Sequence, residues 1–78
     1  MLTRDIFTAE IKKYYKLMLM AEKEIDVYYY CFAASAIILF GYDLGILLYD
    51  ESVKAVDIIY DKFYLKLEEL KVNEQNEQ

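Results

Sequence analysis

The chain has no histidine, no proline and no tryptophan, one cysteine and two glycines. Each shortage closes a route. Without histidine, the usual base beside a serine or cysteine nucleophile is missing, and so is the Glu-x-x-His pattern of di-iron bundles. A lone cysteine cannot form an internal disulfide, and no cysteine pair has zinc spacing. Cys31 has uncharged neighbours that would leave its thiol unactivated, so it reads as a small buried apolar residue in reducing surroundings. The glycines, Gly41 and Gly45, both lie in "GYDLG", whose spacing and central acid do not suit a phosphate-binding loop. No catalytic, metal-binding or cofactor-binding residue is assigned, and no enzyme activity, cofactor or small-molecule substrate is expected.

Charge is scarce in the middle of the chain. Residues 25–49 carry only Asp26 and Asp43, whereas residues 1–24 carry five basic and four acidic groups and residues 50–78 carry four basic and eight acidic ones. The outer thirds are weakly complementary, which suits antiparallel contact between them. In "KKYYK", Lys12, Lys13 and Lys16 make a weak footprint for nucleic acid on a chain of net charge −5. The carboxylate pairs Glu22/Asp26 and Asp57/Asp61 stand beside lysines and read as solvated faces rather than metal sites.

With punctuation confined to "GYDLG", the sequence predicts an all-α fold in a single domain over residues 1–72: a helix over about 4–40, a turn at about 41–45 and a helix over about 46–71, with a polar disordered tail at 73–78. Alternating spacings of four and three pick out Phe7, Ile11, Tyr14, Met18, Ala21, Ile25, Tyr28, Phe32, Ser35 and Leu39 in the first segment. In the second they pick out Tyr42, Ile46, Tyr49, Val53, Val56, Tyr60, Phe63, Leu67 and Leu70. Every charged residue between Asp5 and Lys71 apart from Asp43 falls off both stripes, the pattern of helices packed along a shared seam. The first rod is longer than the second, so it overhangs, bends or breaks near "AEKEID". Thr3 is the expected cap of the first helix, Gly41 its left-handed stop, and Asp43, Asp50 or Ser52 the cap of the next.

The run from Val27 to Tyr42 holds sixteen uncharged residues, about 24 Å of helix against about 30 Å of hydrocarbon, and extending it immerses Asp43. Tyr28, Tyr29, Tyr30 and Tyr49 sit where interfacial belts sit, so a single-pass span over 27–49 is an alternative. The unbroken register of the first stripe favours a bundle instead, because a span needs none.

A chain of 78 residues without disulfide or metal is expected to gain stability by oligomerising. An antiparallel helical hairpin leaves Tyr29, Tyr30, Ala34, Ile37, Ile38, Phe40, Tyr42, Leu47 and Leu48 as an apolar end, a patch larger than a soluble monomer usually exposes. These nine are the expected partner-binding residues. The expected form is a homodimer of hairpins, a four-helix bundle, acting as a cytoplasmic, non-catalytic interaction or regulatory module. An acidic inhibitor or adaptor of a larger host protein is a further alternative. "MLTRDIFTAE" does not read as a signal peptide.

Overall fold

The computed structural model describes residues 2–77, with side-chain burial described to Glu74; Met1 and Gln78, the last residue of the expected tail, lie outside the described residues. The chain is all-α, with α1 over Arg4–Met20, α2 over Glu24–Asp43 and α3 over Tyr49–Glu77. Ring pairs give the directions: Phe7 meets Phe40 and Tyr14 meets Tyr30, while Tyr28 meets Phe63 and Tyr42 meets Tyr49. α2 thus runs antiparallel to both neighbours and is the element they share, whereas α1 and α3 touch each other least. The Cα envelope measures 49 × 22 × 14 Å, a splayed, thin arrangement little deeper than one helix with its side chains.

The expected first helix over 4–40 is two helices, the break falling within "AEKEID", where a break was one of the expected alternatives. Ala21 and Lys23 both take extended backbone, with ψ of 141° at each. The new start is closed by the Lys23 carbonyl, which accepts from the Asp26 and Val27 amides at 3.1 and 3.2 Å. Glu24 and Asp26 in the first turn of α2 place negative charge at its positive end. No proline or glycine forces this break. Tertiary packing does, because folding α1 back sets Met18, Ile11 and Tyr14 against the core of Val27, Cys31, Ala34 and Ile38, and burial of this kind outweighs helix propensity.

The break changes the register. Phe7, Met18, Ala21 and Ser35 are buried as the spacing predicts, but α2 otherwise buries Val27, Cys31, Ala34, Ile38 and Gly41 instead of Ile25, Tyr28, Phe32 and Leu39. Continuity of the stripe, the sequence-level reason for preferring a bundle to a span, does not survive. In α3, Phe63, Leu67 and Leu70 are buried as expected and Ile59 joins them. Lys66, off the predicted stripe, lays its stem in the core while its ammonium stays 3.9 Å from Glu69.

Caps and turn also differ from expectation, except at the first. Thr3 accepts from the Ile6 amide at 3.3 Å and starts α1. The left-handed residue after α2 is Gly45, at φ 75°, not Gly41. Ile46 donates to the Gly41 carbonyl and Gly45 to that of Tyr42, each at 2.9 Å, the paired bonds of a Schellman stop. Gly41 lies inside α2, where a Cβ would stand 2.8 Å from Leu47 Cδ1 and 2.9 Å from Phe7 Cδ1. Its missing side chain lets α1 and the turn close over the end of α2.

Neither Asp43, Asp50 nor Ser52 caps α3. Glu51 does, accepting from the Leu48 amide at 2.9 Å, one half of a capping box, and it also pairs with Arg4 of α1. Glu51→Ala is expected to cost about 1 kcal/mol in thermal melts, mostly from the cap, since a half-exposed ion pair contributes little. Glu51→Gln should recover most of that loss. The helix continues to Glu77, past the expected end at about residue 71.

Candidate interaction surface

α2 is apolar on all sides, a composition that in a soluble fold normally goes with burial all round. Here only one side is covered. On the other, Ile25, Tyr29, Phe32, Ala36 and Leu39 follow one another at spacings of four and three, and all are exposed: Ile25 by 71 %, Phe32 and Leu39 by 57 % each. Tyr28 and Phe40 flank the row and are also exposed. Charge interrupts this face only at its ends, at Glu22 and Lys23 before α2 and at Asp43 on its last turn. The strip extends over about 21 Å of helix, with α1 and α3 along its two sides.

The nine expected partner residues divide into three groups. Ala34, Ile38 and Leu47 are buried in the chain's own core and are not available to a partner; the register change at the break turns the Ala34 and Ile38 side of α2 inward, and Leu47, in the turn after α2, closes over Gly41. Tyr30 and Ile37 are half-buried, Tyr30 through its ring contact with Tyr14. Tyr29, Phe40, Tyr42 and Leu48 are exposed. Tyr29 and Phe40 belong to the α2 strip, whereas Tyr42 pairs with Tyr49 at the tip beside Leu48. The row therefore includes Ile25, Phe32, Ala36 and Leu39, which the sequence reading did not assign to a partner. A signal for them was present: the small residues Cys31, Ala34 and Gly41 share one side of α2 and suit close helix approach, leaving Tyr29, Phe32 and Leu39 opposite.

Two other features line the molecule. Because α1 and α3 scarcely meet, a groove of ≈ 380 Å³ opens between them over Ile11, Tyr15, Leu47, Ala55, Ile58 and Ile59. Arg4 and Glu51 pair across one end of it. The carboxylates Glu22, Asp26, Asp57 and Asp61 are all exposed, and among the described residues no three histidine, cysteine, aspartate or glutamate side chains gather as a metal site. Lys13 lies 3.5 Å from Glu10, with its ammonium 5.0 Å from the Tyr14 ring.

Cys31 is fully buried, and that burial pushes its thiol above the ordinary range, with the Ser35 hydroxyl offsetting part of the rise. In native buffer it should react with a thiol reagent only as fast as the chain opens, and at once in denaturant. The proton linkage has a definite sign. A thiol whose folded pKa is raised leaves stability whole below the unfolded-state value and reduces it as pH climbs from that value towards the folded one. Denaturant titrations across that alkaline window should show a steeper decline for the native chain than for Cys31→Ala.

Compared with protein-family models, curated proteins and solved structures, the chain matches none.

Proposed function

We propose that this protein is a non-catalytic helical interaction module that works by self-association through the exposed face of α2. The observation that carries this reading is the uncharged row Ile25, Tyr29, Phe32, Ala36 and Leu39, left open by a chain whose lone cysteine makes no internal disulfide and which gathers no metal-ligating cluster among the described residues. Apolar rows at this spacing are what one helix offers another. Aromatic residues give such a face much area for little lost entropy. In this reading the dimer survives, but its form changes. Each copy brings a layer of three helices instead of two, so a pair makes a six-helix assembly with the α2 helices at its centre in place of the four-helix bundle of hairpins. A cytoplasmic setting goes with this reading. Sedimentation across micromolar concentrations tests it: a concentration-dependent dimer supports it, and a monomer throughout overturns it.

A second reading has its own observation. α2 is twenty residues long with a mean hydropathy of 1.4 over its most apolar window, of which 33 % is buried, and about 30 Å of helix matches the hydrocarbon thickness. Against it stands α1, which lies alongside α2 and carries Lys12, Lys13 and Lys16 close to the Tyr14–Tyr30 contact. Immersing them costs about 2.5 to 3.5 kcal/mol each on the insertion scale, so spanning requires α1 to leave α2. Cell fractionation separates the two: recovery without detergent favours self-association, and retention in carbonate-washed membranes favours the span.

A further inference from the structure

The groove between α1 and α3 plays no part in the self-association reading, and no residue of α2 lines it. We infer that it binds an unbranched aliphatic monocarboxylate, a medium-chain fatty-acid anion, with the tail along the apolar floor and the carboxylate at the end that bears Lys12.

Shape is the first reason. Leu47 and Ile59, buried, close the floor, while Ile11, Tyr15 and Ala55 stand half-buried on the walls and Ile58, 55 % exposed, forms a lip. A volume of ≈ 380 Å³ is small for a ligand cleft but within the usual range, and such clefts are mostly apolar with a few polar groups that orient the occupant. The Arg4–Glu51 pair straddles one end, and Tyr15 lies eleven residues further along α1, about 16 Å of helix. An extended chain advances about 1.2 Å per bond, since three bonds make up each residue of extended backbone. The groove therefore matches a run of about thirteen atoms.

Charge is the second reason, and it selects the head group. By helical position, α1 brings Arg4, Lys12 and Lys16 to the edges of the groove against Asp5, and α3 brings Lys54 and Lys62 against Glu51 and Asp61. Arg4 and Glu51 neutralise each other. None of the four lysines has an ion pair among the described residues. Asp5 stands at the clipped end, so the other end holds Lys12, Lys16 and Lys62 against Asp61 alone. On a chain of net charge −5, the edges of this groove carry an excess of cations. Tyr15, lining the same end, adds a hydroxyl, and a carboxylate can accept from an ammonium and a phenol at once. A cationic head gains nothing there. Nothing in the sequence pattern points to such a ligand, because the groove exists only once α1 and α3 have both folded against α2.

The test titrates the full chain with octanoate, decanoate and dodecanoate, kept below their micellar range, in a calorimeter, beside a dodecyl chain with a trimethylammonium head. A single molecule per chain should bind, with affinity rising roughly threefold per methylene. The cationic analogue should bind roughly tenfold more weakly than dodecanoate. Ile58→Asp, at the exposed lip, should weaken dodecanoate roughly tenfold or more. The pair Lys12→Glu and Lys62→Glu, both on the surface, should remove the preference for the anion. Phe32→Asp, on α2, should leave binding as it was. No binding by the native chain overturns the inference, as does equal binding of both head groups. Binding that survives Ile58→Asp and disappears in Phe32→Asp places the tail on α2 and overturns it too. If the native chain ignores dodecanoate and Ile58→Asp turns a dimer into a monomer on sedimentation, the groove belongs to a second copy, which overturns the ligand while leaving self-association intact.

Discussion

Ile38→Asp should leave no folded protein at neutral pH. Ile38 is completely buried on the covered side of α2, within the cluster that both α1 and α3 help to form. A carboxylate there enters a cluster of apolar side chains, and an unpaired buried charge costs several kcal/mol. A small domain holds about 5 kcal/mol or a little more in total, so the loss exceeds what is available. Circular dichroism should show helicity collapsing, with no cooperative urea transition. Ile38→Val, which removes one methylene, should cost only about 1 kcal/mol and keep the transition. Had Ile38 been a partner residue, as the sequence suggests, the aspartate variant would fold and merely fail to associate. The same measurement therefore also distinguishes the two placements.

Phe32→Asp should have the opposite outcome. Phe32 lies six residues before Ile38 and on the open side of the same helix, where a carboxylate meets water in the monomer. The helical signal and the urea midpoint of the isolated chain should change little, within about 0.5 kcal/mol. Sedimentation should change completely, because in a dimer formed through this face the aspartate would enter a dry seam, and a loss of several kcal/mol corresponds to at least a thousandfold weaker association. Leu39→Asp should behave alike. A dimer that persists in both variants would move the contact to the groove between α1 and α3.

How much of this could be read from the sequence differs from helix to helix. In α1 and the second half of α3, charge marks the outside: Lys12, Lys13 and Lys16 leave Phe7 and Met18 as inward positions, and Asp61, Lys62 and Glu68 do the same for Phe63, Leu67 and Leu70. In α2 that contrast disappears. Between Asp26 and Asp43 every face is uncharged, so two stripes of equal apolarity, one through Phe32 and one through Cys31, satisfy the same spacing. Only packing against α1 chooses between them, and that packing depends on a break that carries no glycine or proline. The turn was legible in composition but not in detail. Both glycines suited a left-handed stop, and what separated them was the space Phe7 and Leu47 occupy at Gly41, which is long-range information. Of the nine residues expected to meet a partner, Tyr29, Phe40, Tyr42 and Leu48 are exposed, whereas Ala34 and Ile38 lie on the covered side of α2 and Leu47 packs over Gly41.

The arrangement around α2 has a kinetic consequence. Each neighbour is also adjacent to α2 in sequence, joined through a short connection at Ala21–Lys23 or at Leu44–Leu48, while the distant pair, α1 and α3, contributes little. Either docking step therefore closes only a small loop, and neither has to wait for the two ends of the chain to find each other. Proteins dominated by such nearby pairings reach their native state in about microseconds to milliseconds. The spine would thus be clad on one side, and its open side already formed, before most encounters with another molecule.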